Sequence, residues 1–145
     1  MKIDGSCHCG EIRFCAEVDP TKVSICHCAD CQTFSSSAFR VAVKAKTGTF
    51  ELLAGEPKVY VKTADSGNKR AQGFCATCGT SIYSTVPGDG PKVYTLRSGT
   101  IRQRAELAPS LQIWTRSAVT WLDHLPEIES IVTQPVFDAA GRPVR

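Results

Sequence analysis

Cys7-His8-Cys9-Gly10, Cys26-His27-Cys28-Ala29-Asp30-Cys31 and Cys75-Ala76-Thr77-Cys78-Gly79 hold seven of the eight cysteines of this 145-residue chain. Seven clustered thiols divide into four plus three. Four sulfurs complete a tetrahedral zinc site, whereas three leave one position open to water or a substrate, the usual difference between structural and catalytic zinc. The pattern predicts two Zn²⁺ per chain, one that holds the fold and one that takes part in chemistry.

A disulfide framework is the competing reading of an even cysteine count. It is disfavoured by geometry, because cysteines one residue apart rarely reach the Cα separation and torsion a bridge demands, yet they make good paired metal ligands. The first residues, Met1-Lys2-Ile3-Asp4-Gly5-Ser6, contain no apolar run of the signal-peptide kind. A reducing compartment follows as the expectation, most simply the cytoplasm.

Composition sets the remaining bounds. With 42% hydrophobic residues, the chain is expected to form one zinc-binding domain over 1–133, with 134–145 as a surface tail marked by Pro135, Gly141 and Pro143. No stretch is apolar enough to span a membrane. The formal charge of +3 counts cysteines as neutral; seven thiolates lower it by seven and two Zn²⁺ return four, so a loaded chain is near neutral. Lys44/Lys46, Lys69/Arg70 and Arg97/Arg102/Arg104 are the nearest to basic groups, and no base-stacking motif interleaves with them. They read as a solvated surface, which argues against a nucleic-acid partner.

Short alternating segments predict a mainly β architecture. Ile12, Phe14, Ala16 and Val18 alternate with Arg13, Cys15 and Glu17; Phe39, Val41 and Val43 alternate with Arg40 and Lys44. Val59/Val61, Ser81–Val86 and Lys92–Leu96 are further strand candidates, separated by turn signals at Gly67-Asn68 and Gly88-Asp89-Gly90-Pro91. Helical periodicity is weak, with a turn or two expected only over Ser117–Leu125, capped by Ser117. Trp114 and Trp121 are expected in the core.

Cys7-His8-Cys9 and Cys26-His27-Cys28 are the same tripeptide. In extended backbone, residues i and i+2 share a face, so both sulfurs of each tripeptide reach one metal while His8 and His27 point away as exposed or hydrogen-bonded imidazoles. Cys7/Cys9 and Cys75/Cys78 are each followed by glycine, which lets the chain turn back and aim amides at the sulfurs. Joining these two pairs gives a closed site and leaves Cys26, Cys28 and Cys31 as the open trio, with Cys15 a free thiol on the polar side of its strand. Spacing alone also permits other pairings, such as Cys26/Cys28 with Cys75/Cys78.

The run Gly5–Phe14, then Cys26–Gln32, then Phe74–Thr80 resembles the glutathione-dependent formaldehyde-activating enzyme family, the family that also includes centromere protein V-type domains. Ser98-Gly99-Thr100-Ile101 and Ile113-Trp114 through Trp121-Leu122 resemble its C-terminal half. The resemblance implies a β-tent zinc fold of short antiparallel sheets with little helix. It also implies a ligand set: Cys7, Cys9, Cys75 and Cys78 on a structural zinc, and Cys26, Cys28 and Cys31 on a catalytic one. Ser36 stands where many members carry glycine, Arg102 where an acid is common, and Gln112 where histidine is frequent.

A zinc held by three thiolates carries a net charge of −1 and is a blunted Lewis acid, poorly suited to making hydroxide but able to take a soft fourth ligand such as a substrate thiol. The resulting expectation is a carbon–sulfur lyase or synthase acting on the adduct of a small thiol, glutathione-like, with an aldehyde such as formaldehyde. Two other classes stand beside it: a non-catalytic zinc module binding protein or nucleic acid, and a thiol-redox or zinc-buffering protein using Cys15 and the open trio. Asp30 reads as a turn residue, and Ser35, Ser36 and Ser37 as a loop.

Overall fold

The computed structural model describes residues 1–144. Strands β1 (Lys2–Ser6) and β2 (Arg13–Cys26) run antiparallel, with Ile3 opposite Ala16 and Ser6 opposite Arg13. Phe14, Ala16 and Val18 are buried, while Arg13, Cys15 and Glu17 are exposed or half-buried, as the period of two requires. β2 is long enough to serve two parts of the sheet. Its register shifts between Val18 and Val23, around Pro20, which lacks the N–H that an unbroken ladder would use. The half beyond the shift pairs with β3 (Arg40–Ala45) and, in parallel, with β9 (Leu111–Ile113), whereas the first half also takes β4 (Glu51–Ala54).

From β3 the sheet continues antiparallel through β8 (Thr95–Arg97), β7 (Ser81–Thr85) and β6 (Lys69–Phe74) to the edge strand β5 (Lys58–Thr63). The mainly β expectation is met. Ile12, Phe14, Val18, Val23, Val43, Ile82, Leu96 and Ile101 form the centre of the core, each worth about 1.5–3 kcal/mol when fully buried. Phe50 stacks on Tyr94 at 4.2 Å, and Tyr83 meets Tyr94 edge-on at 4.9 Å.

Several expectations need correction. An α-helix, α1 (Ala29–Ser35), lies inside the cysteine trio. It buries no residue, so it has no apolar stripe to betray it and depends on its caps. The strand expected over Lys92–Leu96 starts only at Thr95. In the C-terminal part, Thr115–Ser117 and Thr120–Glu127 are 3₁₀ helices, and the second is preceded by Val119 rather than capped by Ser117. Trp114 and Trp121 are about half exposed, at 46% and 50%, not in the core. They follow β9, whose three residues are all exposed, and no described residue beyond Leu107 is buried; the Arg116 guanidinium lies over the Trp114 ring at 4.8 Å. Residues 134–144 are exposed or half-buried and carry a small hairpin, β10 (Val136–Phe137) with β11 (Pro143–Val144).

Candidate metal centres and the adjoining cavity

The first sulfur cluster joins two turns far apart in sequence. Cys7, Cys9, Cys75 and Cys78 have sulfurs all within 4.8 Å of one another. Cys7–Cys9 leaves the end of β1 in a turn closed by the Gly10 N–H on the Cys7 carbonyl, 3.1 Å, so these two sulfurs meet through a turn and not through the extended backbone expected. The Cys75–Cys78 turn between β6 and β7 is closed likewise, by the Gly79 N–H on the Cys75 carbonyl at 2.8 Å. Gly10 and Gly79 have φ of +80° and +75°, the left-handed conformation in which a Cβ is strained. Both turns aim N–H groups inward, and Ile12 donates to Cys7 Sγ at 3.2 Å. Between the turns, the His8 N–H donates to Thr80 Oγ1 at 3.1 Å, and the Thr77 hydroxyl donates to Glu11.

A tetrahedron of Zn–S bonds of about 2.3 Å has S···S edges of about 3.8 Å. Cys7 and Cys9 sulfurs stand 3.5 Å apart, and Cys9 and Cys75 sulfurs 3.7 Å. The cluster therefore fits a four-coordinate metal. The Thr80 hydroxyl, followed by the backbone N–H groups of Cys9 and Thr80, brings the Cys78 thiol down to about 5, which favours the thiolate a metal needs.

The second cluster is Cys26, Cys28 and Cys31, again with sulfurs mutually within 4.8 Å. Cys26 ends β2, Cys28 is the N-cap of α1 with φ −64° and ψ 154°, and Cys31 lies in the helix. Here the i, i+2 reading holds for Cys26 and Cys28. Burial, reinforced by the Cys26 and Cys28 sulfurs, pushes the Cys31 thiol up to about 12. Three sulfurs this close do not all ionise unless a cation joins them, and the donor set is one that zinc satisfies. Among the described residues no other group of three or more potential ligands comes together.

The trio opens onto a cavity of about 300 Å³ lined by Cys26 and Cys31 and by Arg40, Arg70, Arg97 and Lys62. Arg97 does not lie on the solvated surface expected of its group, and Arg40, a polar position in the alternation of its strand, is buried too: they are 8% and 6% exposed. Arg40 faces Cys26 across the β2–β3 ladder, and Arg97 faces Ala42 across the β3–β8 ladder. Because β3 lies between these neighbours, the polar face of its alternation turns toward the cavity instead of water. Arg97 Nη2 donates to Gln72 Oε1 at 2.6 Å, and Arg40 lies over the Phe34 ring at 5.6 Å. Burial, and next the Arg40 charge, brings Arg97 down to about 9. The sulfurs of the trio act the other way on Arg40, whose lowering by burial they oppose.

The flanking residues also differ from expectation. Asp30 sits in the first turn of α1 and pairs with Lys62 from β5 at the cavity. Ser35 ends α1 and donates to the carbonyls of Cys31 at 2.7 Å and Phe39 at 3.1 Å. The two histidines do match expectation as exposed or hydrogen-bonded imidazoles: His8 is exposed, and His27, though buried, donates through Nε2 to Gln112 Oε1 at 2.7 Å. Neither imidazole joins a sulfur cluster. Cys15, half-buried, belongs to neither cluster and stays a separate thiol. Arg40 and Arg97 are the site residues that sequence reasoning missed; the only trace was that Arg40 breaks an apolar run beside the trio.

The family model for the glutathione-dependent formaldehyde-activating enzyme matches residues 2–117. The chain belongs to this family. Both sulfur clusters and both buried arginines of this family member lie within the matched span. Among solved structures, the crystal structure of a Rhodobacter sphaeroides protein is similar, with a TM-score of 0.57 and 18% identity, covering 75% of this chain and 98% of that one. That likeness concerns the fold alone. No curated protein matches the chain.

Proposed function

We propose that this protein is a zinc-dependent carbon–sulfur lyase or synthase that forms and cleaves the adduct of a small glutathione-like thiol with an aldehyde such as formaldehyde. One zinc is assigned to Cys7, Cys9, Cys75 and Cys78 as a structural ion, and one to Cys26, Cys28 and Cys31. Family membership supports the thiol and aldehyde substrates. The observation that carries the reading is the cationic cavity beside a cluster of only three sulfurs. An open, thiolate-rich zinc supplies a soft site at which a substrate thiol is held ionised.

In the synthetic direction a new C–S bond forms between the thiol sulfur and the aldehyde carbon. The C=O π pair becomes an alkoxide, and that oxygen takes the proton released by the thiol; cleavage is the reverse. The chain's own contribution is positioning. β2 and α1 hold the three cysteines, the Asp30–Lys62 pair sits at the cavity, and the buried guanidiniums offset the charge of the thiolates.

Exchange NMR tests this reading. With glutathione and formaldehyde, wild type is expected to speed interconversion of free thiol and S-hydroxymethyl adduct above a protein-free control. Cys28→Ala abolishes the increment and Cys15→Ala leaves it. No increment across a panel of small thiols and aldehydes would overturn the enzymatic reading in favour of a binding module. The membrane plays no part in the proposal: among the described residues no helix is long and apolar enough to cross one.

A further inference from the structure

Arg40 and Arg97 carry donors that nothing in the fold satisfies. Arg40 Nη2 and Arg97 Nε are both buried without a hydrogen-bond partner, on side chains more than nine-tenths buried. A buried charged donor left unpaired is costly, which marks such groups as awaiting a partner. Both guanidiniums line the cavity that Cys26 and Cys31 also line.

The geometry points to a carboxylate-reading subsite: Arg40 and Arg97 bind an anionic group of the thiol substrate and make the enzyme select thiols that bear a carboxylate. This deepens the functional reading above and rests on it for the identity of the sulfur's partner. Charge separates the idea from the simpler one that the arginines only balance the thiolates. Lys44, Lys62, Arg40, Arg70 and Arg97 line the cavity against the single carboxylate of Asp30. Three thiolates with one Zn²⁺ add only one further negative charge. Cations therefore remain in excess at the cavity, and their summed field attracts an incoming anion.

Placement makes the residues suited to the task. Gln72 occupies Arg97 Nη2 and Phe34 lies under Arg40, so each head group is held in place while Arg97 Nε and Arg40 Nη2 keep no partner. Planar guanidinium is the group best matched to a carboxylate, and lysine is not its equivalent there. The cavity of about 300 Å³ is at the small end of ligand sites, so sulfur and carboxylate must lie close together in the bound molecule.

The test compares three thiols of similar size with the zinc-loaded protein: 3-mercaptopropionate, 2-mercaptoethanol and cysteamine. Wild type is expected to prefer 3-mercaptopropionate by on the order of 10- to 100-fold in KM for formaldehyde exchange, the range of a charge-assisted hydrogen bond. Binding of S-methyl-3-mercaptopropionate, followed by calorimetry, is expected to weaken by a similar factor in Arg97→Gln and in Arg40→Lys, with zinc content and circular dichroism unchanged. The wild-type panel covers the case in which a variant fails to fold. Equal exchange with all three thiols would overturn the subsite while leaving the lyase reading intact. Arginine-dependent binding of the carboxylate without any exchange would uphold the subsite and overturn the lyase reading.

Discussion

Cys28 Sγ accepts a hydrogen bond from the backbone N–H of Cys31, 3.4 Å away, so one cysteine of the open trio caps the helix that carries the next. The sulfur takes the place of the serine or aspartate oxygen usual at an N-cap. At the other end of α1 the Ser36 N–H reaches the carbonyls of Gln32 and Thr33, and Ser36 itself has φ +50°. Its left-handed conformation is one that glycine enters freely and a side chain does not. Ser36→Gly is expected to stabilise the protein by about 0.5–1 kcal/mol without changing metal content. A rise in urea midpoint at unchanged slope would show it, and a fall would mean the helix end is held by something other than backbone conformation.

Gly5 tests the packing between the two halves of the molecule. A Cβ there would lie 2.3 Å from the Phe14 ring and 2.5 Å from the Thr100 carbonyl oxygen, and the second of these is backbone that cannot rotate away. Gly5 also bridges to Ile101. Gly5→Ala is expected to destabilise by about 1–3 kcal/mol, read as a lower denaturation midpoint with both metals still bound in the folded fraction.

Asp4 lies on the neighbouring rim, where Arg102 donates through Nε at 2.8 Å and Nη2 at 2.5 Å and Gln103 Nε2 donates at 2.7 Å. Those bonds, Arg102 first, lower its carboxyl to about 2 from the ordinary 3.8. A depressed folded value means that the stabilisation is complete above about pH 4 and lost as pH falls toward 2. Wild type is expected to melt above Asp4→Asn at pH 7, with the gap narrowing below about pH 4 and closing only near pH 2. Asp4 lies outside both sulfur clusters, so any effect of acid on a bound metal is common to the two proteins and the difference between them isolates the carboxylate. A gap that persisted at pH 2 would assign it to geometry rather than charge.

The strands of the first half were legible because one face of each is buried and the other wet: Phe14, Ala16 and Val18 are buried and Cys15 is not. The clusters were legible because thiols spaced for a metal have few other uses. α1 was not, since its stability comes from Cys28 and Ser36 at its ends and not from an apolar stripe. Arg40 and Arg97 were hidden for a different reason. Alternation tells which residues share a face but not whether that face meets water, and β3 turns its arginine toward a cavity that the sequence does not announce. The tryptophans failed the usual tendency of aromatics to be buried because no described residue beyond Leu107 is buried, so the chain there has no core to offer them.

Cys15 offers a check on strand register. It faces Asp4 on one side and Glu51 on the other, outside both sulfur clusters. In zinc-loaded protein it is expected to be alkylated first, about tenfold ahead of the other seven, because coordination shields a thiolate from attack. Peptide mass spectrometry after brief iodoacetamide treatment decides it; early labelling of Cys26 or Cys28 would show that the trio holds no metal.

The proposed division of labour between the clusters predicts unequal losses. Cys7, Cys9, Cys75 and Cys78 join the turn after β1 to the turn after β6, and closing a loop of that length has a high entropic cost. A structural zinc contributes about 10–16 kcal/mol of apparent binding free energy to folding, as much as the whole stability of a typical domain at about 5–15 kcal/mol. Cys75→Ser, at a site only 1% exposed, is therefore expected to unfold or aggregate. The trio instead lies within a short stretch where β2 and α1 are already adjacent, so little loop closure depends on it. Cys31→Ser is expected to keep a cooperative melt within a few degrees of wild type while elemental analysis falls from about two zinc to about one per chain. Equal melting temperatures for the two variants would refute the assignment of one cluster to the fold and the other to chemistry.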